Sequence, residues 1–132
     1  MNTLKNFLHP VRKPNTKFVL SDAFVDDEGK PLEWEMRQIG AKEGVELAKE
    51  TEDLSSTETL TYYIAASLVT PNLKAKEIVD DYTEKHNGKI GSPVEILLEL
   101  VTDGEMAKLI SIYLEHSKAT TNFAELVKEA KN

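Results

Sequence analysis

A chain of 132 residues without cysteine has the length of one domain, enough to bury roughly two-thirds of its unfolded surface with no disulfide or metal to support it. The missing cysteine excludes disulfide bridges, thiolate zinc sites and thiol nucleophiles, and it fits a reducing compartment such as the cytoplasm. Net charge is −7, made of a +4 segment over residues 1–20 and a −11 remainder, and an acidic body that repels phosphate backbones is not expected to bind nucleic acid.

The chain opens on a basic arm, residues 1–16. Its start, MNTLKNFLHP, has no sustained apolar stretch of the kind a signal peptide needs, and no later run approaches the length of a membrane span, so no membrane partner is expected. Leu4, Phe7 and Leu8 have the spacing of one helical turn, which Pro10 ends. Residues 11–16, with Pro14, read as an extended linker. Lys5, Arg12, Lys13 and, just beyond, Lys17 supply the positive charge. Two readings of the arm stand: it lies against its own acidic body or moves freely, or it docks on an acidic partner.

Residues 17–39 predict a β-hairpin. Lys17 to Val25 is rich in strand formers, and residues 26–31 (Asp-Asp-Glu-Gly-Lys-Pro) form a turn with Gly29 at the position that needs a positive φ. Leu32 to Arg37 then alternates apolar and charged residues, which gives one buried and one wet face. From residue 40 to 132 the pattern is helical. Weaker helices are predicted at Ala41–Glu50 and Ala75–Tyr82. Ser55 with Glu58 forms a capping box before Leu60, Tyr63, Ile64, Ser67 and Leu68, a helix running to Thr70-Pro71. Ser92 with Glu95 forms a second, before a buried stripe of Val94, Leu97, Leu98 and Val101. Thr102 opens a helix with Met106, Leu109, Ile110, Tyr113 and Leu114 on one side, and Asn122 opens the last, with Phe123, Leu126, Val127 and Ala130. None is long enough to be stable alone in water, so they must pack together on the hairpin. The expected fold is α+β, mainly α, in one domain: about five or six short helices packed with an N-terminal antiparallel β-hairpin.

Catalytic and metal-binding patterns do not emerge. His9 precedes a proline, His86 sits by the Asn87-Gly88 turn, and His116 falls at a helix end where positive charge is favoured. None has a second histidine or a carboxylate at ligand spacing on a shared face. Asp26, Asp27 and Glu28 lack the calcium-loop spacing. Glu33 and Glu35 share the solvated strand face opposite Trp34, and Ser55, Ser92, Thr102 and Thr121 are used as caps. No glycine-rich phosphate loop exists. No cofactor and no enzyme activity are expected.

Binding surface is what remains. Trp34, the sole tryptophan, either closes the core beneath the hairpin or anchors a partner, as tryptophan does at interface hot spots. Phe24 lies on the same hairpin. The amphipathic last helix, with Phe123, Leu126 and Val127, either docks on the body or is lent to another chain.

Several blocks in order give the chain a resemblance to a known family. They are Phe24-Val25-Asp26-Asp27-Glu28-Gly29-Lys30-Pro31-Leu32-Glu33-Trp34-Glu35, then Thr70-Pro71-Asn72-Leu73, then Gly104-Glu105 at a helix start, then Leu126-Val127-Lys128-Glu129-Ala130. The chain resembles the XkdN-like tail assembly chaperones of Gram-positive phages and prophages; the D-x-G-K-P-x-x-W-E hairpin is the most distinctive part, and the stretch from Gly44 to Thr57 is shorter than the family pattern. The resemblance implies a non-structural, non-enzymatic protein of the host cytoplasm. It implies binding to the long, mostly helical tape measure protein, help in delivering major tail protein subunits, and absence from the mature virion. Homo-oligomers suit such a ring-building pathway. The competing expectation is a structural component of the tail or of the head–tail connector.

Overall fold

The computed structural model describes residues 3–118. In chain order these form α1 (Thr3–Leu8), β1 (Thr16–Val19), β2 (Glu33–Met36), α2 (Ala41–Glu50), α3 (Ser56–Ser67), β3 (Leu68–Thr70), α4 (Lys76–Lys85), α5 (Pro93–Leu100) and α6 (Asp103–His116). The fold is α+β and mainly α, as expected. The sixth helix of the described residues is the N-terminal turn, and the expected helix after Asn122 lies outside them.

The hairpin pairs β1 with β2 antiparallel, Thr16 opposite Met36 and Phe18 opposite Trp34. Alternation along β2 does what its sequence dictates: Trp34 and Met36 are buried and Glu33 is exposed. The first strand is shorter than expected, ending at Val19 instead of Val25. Ser21 is the reason: its hydroxyl accepts the Ala23 N–H (3.2 Å) and donates to Glu105 on α6, so local side-chain bonds displace the ladder. Pairing resumes at the tip, where the Leu32 N–H reaches the Phe24 carbonyl at 2.7 Å and Val25 bridges Pro31. Asp26 holds the turn by accepting the N–H groups of Glu28 and Lys30 at 2.8 and 2.9 Å, and Gly29 takes φ +82°.

A third strand went unpredicted. The expected helix through Leu68 ends at Ser67, and β3 pairs antiparallel with the far side of β2, giving the order β1-β2-β3. Val69 and Thr70 are β-branched, Pro71 biases Thr70 towards extended backbone, and β2 offers an unpaired edge. The combination favours strand over one more helical turn.

The two expected capping boxes, Ser55–Glu58 and Ser92–Glu95, are present, and Thr102, expected as a cap, forms a third with Glu105. Substituting Ser55 by alanine is expected to cost about 1 kcal/mol, read as a lower urea midpoint with an unchanged slope. α4 runs three residues past its expected end and stops where Asn87 (φ 55°) and Gly88 (φ 90°) turn left-handed.

One core joins the layers. Leu20, Trp34 and Met36 from the hairpin region meet Ile64, Ala65 and Leu68, then Ile96 and Leu97 of α5 and Met106, Leu109 and Tyr113 of α6. The expected stripe on α5 is corrected: Ile96 and Leu97 are the buried pair, Val94 and Val101 are half-buried, and Leu98 is 52% exposed. Glu95 and Glu99, four apart, mark the one polar face of Pro-Val-Glu-Ile-Leu-Leu-Glu-Leu; every other side is apolar, so the neighbouring elements decide which of these residues are buried. On α6 Leu114 is likewise turned outward, at 48%.

His116 ends α6, as expected, and is 4% exposed. Its Nε2 donates to the Arg37 carbonyl at 2.9 Å, because a carbonyl can only accept, and its Nδ1 lies 2.6 Å from the Thr16 hydroxyl. The ring therefore ties the end of α6 to both hairpin strands. Beside it, Arg37 makes a two-pronged pair with Glu43 of α2 (2.9 and 2.8 Å) and donates to the Ala66 carbonyl at 2.9 Å. The Arg37 guanidinium holds the Glu43 carboxyl below its ordinary pKa. A depressed folded-state pKa contributes stability above the unfolded value and loses it as pH falls through the folded one. Acid titration below about pH 4.5 is thus expected to destabilise the protein, and Glu43→Gln to make that decline shallower, measured by urea unfolding across pH 3–7.

Candidate functional site

The sequence places apolar residues of three separate segments side by side. The hairpin tip contributes Phe24 and Leu32, α4 contributes Ile78 and Tyr82, and α5 contributes Ile96 and Leu100; two adjoining hollows result. One, of about 180 Å³, lies among Phe24, Leu32, Trp34, Pro71, Ile78 and Leu100. The other, of about 260 Å³, continues past the shared Ile78 and Leu100 to Tyr82 and Ile96. Both are several times the ~30 Å³ share of a liquid water, so they are side-chain-sized. Leu32 and Leu100 are 45% and 41% exposed at its edge.

Charge surrounds this floor. Glu33, Glu77, Asp81 and Glu99 line it from outside, and the one lysine among the lining residues, Lys85, is paired with Asp81 at 2.9 Å. His86 stacks on Tyr82 with ring centroids 4.0 Å apart, and its Nε2 meets Glu99 at 2.6 Å, which clasps α4 to α5. Desolvation, with Glu95 and Glu99 nearby, raises the Tyr82 phenol above its usual pKa, so it stays neutral and a donor. Gly91 faces the same ring: a Cβ there would lie 2.7 and 2.8 Å from Tyr82 Cδ1 and Cζ. Gly91→Ala is therefore expected to shift that ring and cost about 1–3 kcal/mol by overpacking, measured by thermal melting.

Of the residues singled out from the sequence, Trp34 and Phe24 come together here. Trp34 is 2% exposed, edge-on to Phe24 at 5.2 Å and tilted on Phe18 at 6.3 Å, so it is wall and core rather than a protruding anchor. Phe24 is half-buried and accessible from the hollow. Phe123, Leu126 and Val127 lie outside the described residues. The groove's other members, Leu32, Pro71, Ile78, Tyr82, Ile96 and Leu100, were not singled out from the sequence; the available signal was Leu100, an apolar residue outside the expected stripe of Val94, Leu97, Leu98 and Val101.

Among the described residues no group of three histidine, aspartate, glutamate or cysteine side chains is placed to hold a metal ion, and no helix is long and apolar enough to cross a membrane. Grooves with an apolar floor and a charged rim are one geometry by which proteins take up amphipathic helices. Residues 4–131 match the phage XkdN-like tail assembly chaperone proteins, and the chain belongs to that family. A solved structure, that of the protein YqbN, superimposes with a TM-score of 0.73 at 25% identity, over 87% of this chain and 95% of that one. No curated protein matches the chain.

Proposed function

We propose that this chaperone binds the tape measure protein during tail morphogenesis, taking an apolar helix of it into the groove between the hairpin tip, α4 and α5. The reading is carried by the pairing of an uncovered apolar floor (Leu32, Leu100, Ile78) with an acidic rim. Burying one large aliphatic or aromatic side chain contributes about 1.5–3 kcal/mol, and two or three such anchors offset much of the association cost without making the complex permanent. A helix with apolar residues at i, i+3, i+4 and i+7 and basic flanks matches the site.

Release follows from the same arithmetic: a grip this modest gives way when tape measure helices pack on one another. The protein accordingly works in the host cytoplasm and is absent from the finished particle. Co-expression with the tape measure gene tests the first part. The full chain is expected to keep the tape measure protein soluble, and Leu32→Asp with Leu100→Asp to lose that effect while remaining folded by circular dichroism. Equal tape measure solubility with and without the chain would sink the proposal. Mass spectrometry of purified particles tests the second part, since many copies per particle would instead make this chain a connector or tail component.

A further inference from the structure

The arm before β1 carries an apolar face that nothing in the described structure covers. Leu4, Phe7 and Leu8 of α1 and Val11 beyond it are 70%, 77%, 69% and 96% exposed, and the i, i+3, i+4 spacing of the first three puts them on one side of the helix. The sequence of this segment includes Lys5, Arg12 and Lys13 and no acidic residue, so the arm carries net positive charge. Such a stripe in water is unfavourable, and the molecule bears its complement elsewhere: an apolar groove rimmed by Glu33, Glu77, Asp81 and Glu99.

We propose that the arm of one copy docks in the groove of a second copy. Topology favours exchange over docking on the arm's own body. The arm leaves from the open end of the hairpin, where Thr16 pairs with Met36 and is pinned to His116, whereas the groove lies at the other end, beside the hairpin tip and Thr70-Pro71. Residues 9–15 span at most about 25 Å when extended, and the prolines at 10 and 14 hold them straight, suited to reaching outward. Charge supports the match: the arm is cationic and the rim, Glu33, Glu77, Asp81 and Glu99, is anionic. Because arm and groove are different surfaces, the contact is head-to-tail, and it propagates into a ring or an open helix. The inference rests on the groove being a docking site, as in the proposed function. The arm would then shield it until a client displaces the arm.

The test uses the purified full chain with no client present. Light scattering over a concentration series is expected to show oligomers that dissociate as salt rises. Leu4→Asp with Phe7→Asp, on an arm that touches no core, is expected to give monomers, as is Leu32→Asp with Leu100→Asp in the groove. An equimolar mixture of the two variants is expected to form a discrete one-to-one dimer, because one retains the groove and the other the arm. The proposal is overturned by a wild-type monomer at every concentration, by oligomers indifferent to the arm substitutions, or by variants that fail to recombine. It is equally overturned by a monomer whose arm substitutions merely uncover the groove to an apolar dye, which would place the arm on its own body. Failure here alongside retained tape measure solubilisation removes only the arm exchange; loss of both removes the groove as a docking site.

Discussion

Trp34→Ala is expected to destabilise the protein by about 3–5 kcal/mol, the cost of emptying a large aromatic site. That is a large fraction of the 5–15 kcal/mol that holds a typical domain together. The side chain is 2% exposed and meets Phe18 and Phe24 through its ring faces and edges, so its removal opens a void at the junction of sheet, hairpin tip and groove. Because it is the sole tryptophan, its fluorescence reports the same site: emission is expected to be blue-shifted in the folded state and to move red in urea. Trp34→Phe keeps a ring and is expected to lose clearly less than the alanine variant. A loss below about 1 kcal/mol for alanine would mean that the indole is not holding the core, contrary to the burial described.

The second large effect is expected at His116. Truncation to alanine removes a buried ring and leaves two hydrogen-bonding groups behind, the Arg37 carbonyl and the Thr16 hydroxyl. Each unsatisfied buried group costs about 1–3 kcal/mol, so a loss of about 2–4 kcal/mol is expected, more than for an ordinary surface histidine. Thr16→Val removes one partner only, with an expected loss near 1 kcal/mol. The double variant should fall short of the sum, since the two side chains share one bond. Urea unfolding of the four proteins measures this directly. Strict additivity would show that the Thr16–His116 contact does not contribute.

Local signals in this chain are honest and non-local ones are silent. The capping boxes, the Asp26–Gly29 turn and the alternation of Trp34 and Met36 with Glu33 and Glu35 are properties of adjacent residues, and all are found as read. β3 has only three residues and no periodicity of its own; it exists because β2 has a second edge, which no window around Leu68 contains. The burial of His116 depends on Thr16 and Arg37, far away in sequence, so its position at a helix end was legible and its partners were not. The groove is the extreme case. Phe24 was visible on the hairpin, but Leu32, Ile78 and Leu100 each look like ordinary members of a stripe until three segments converge. The family resemblance, carried mainly by the hairpin, reached the family whose model matches residues 4–131, because the block from Phe24 to Glu35 is contiguous in sequence and legible without the fold.

The tie between Thr16 and His116 spans 100 positions of sequence, and this bears on how the protein is made. At ~5–20 residues per second of synthesis, roughly 5–20 s separate the two ends of that tie. Throughout that interval Trp34 and Met36 lack the C-terminal helix that completes their cover. A member of a chaperone family thus passes, on every ribosome, through a stage in which its own apolar residues lie uncovered.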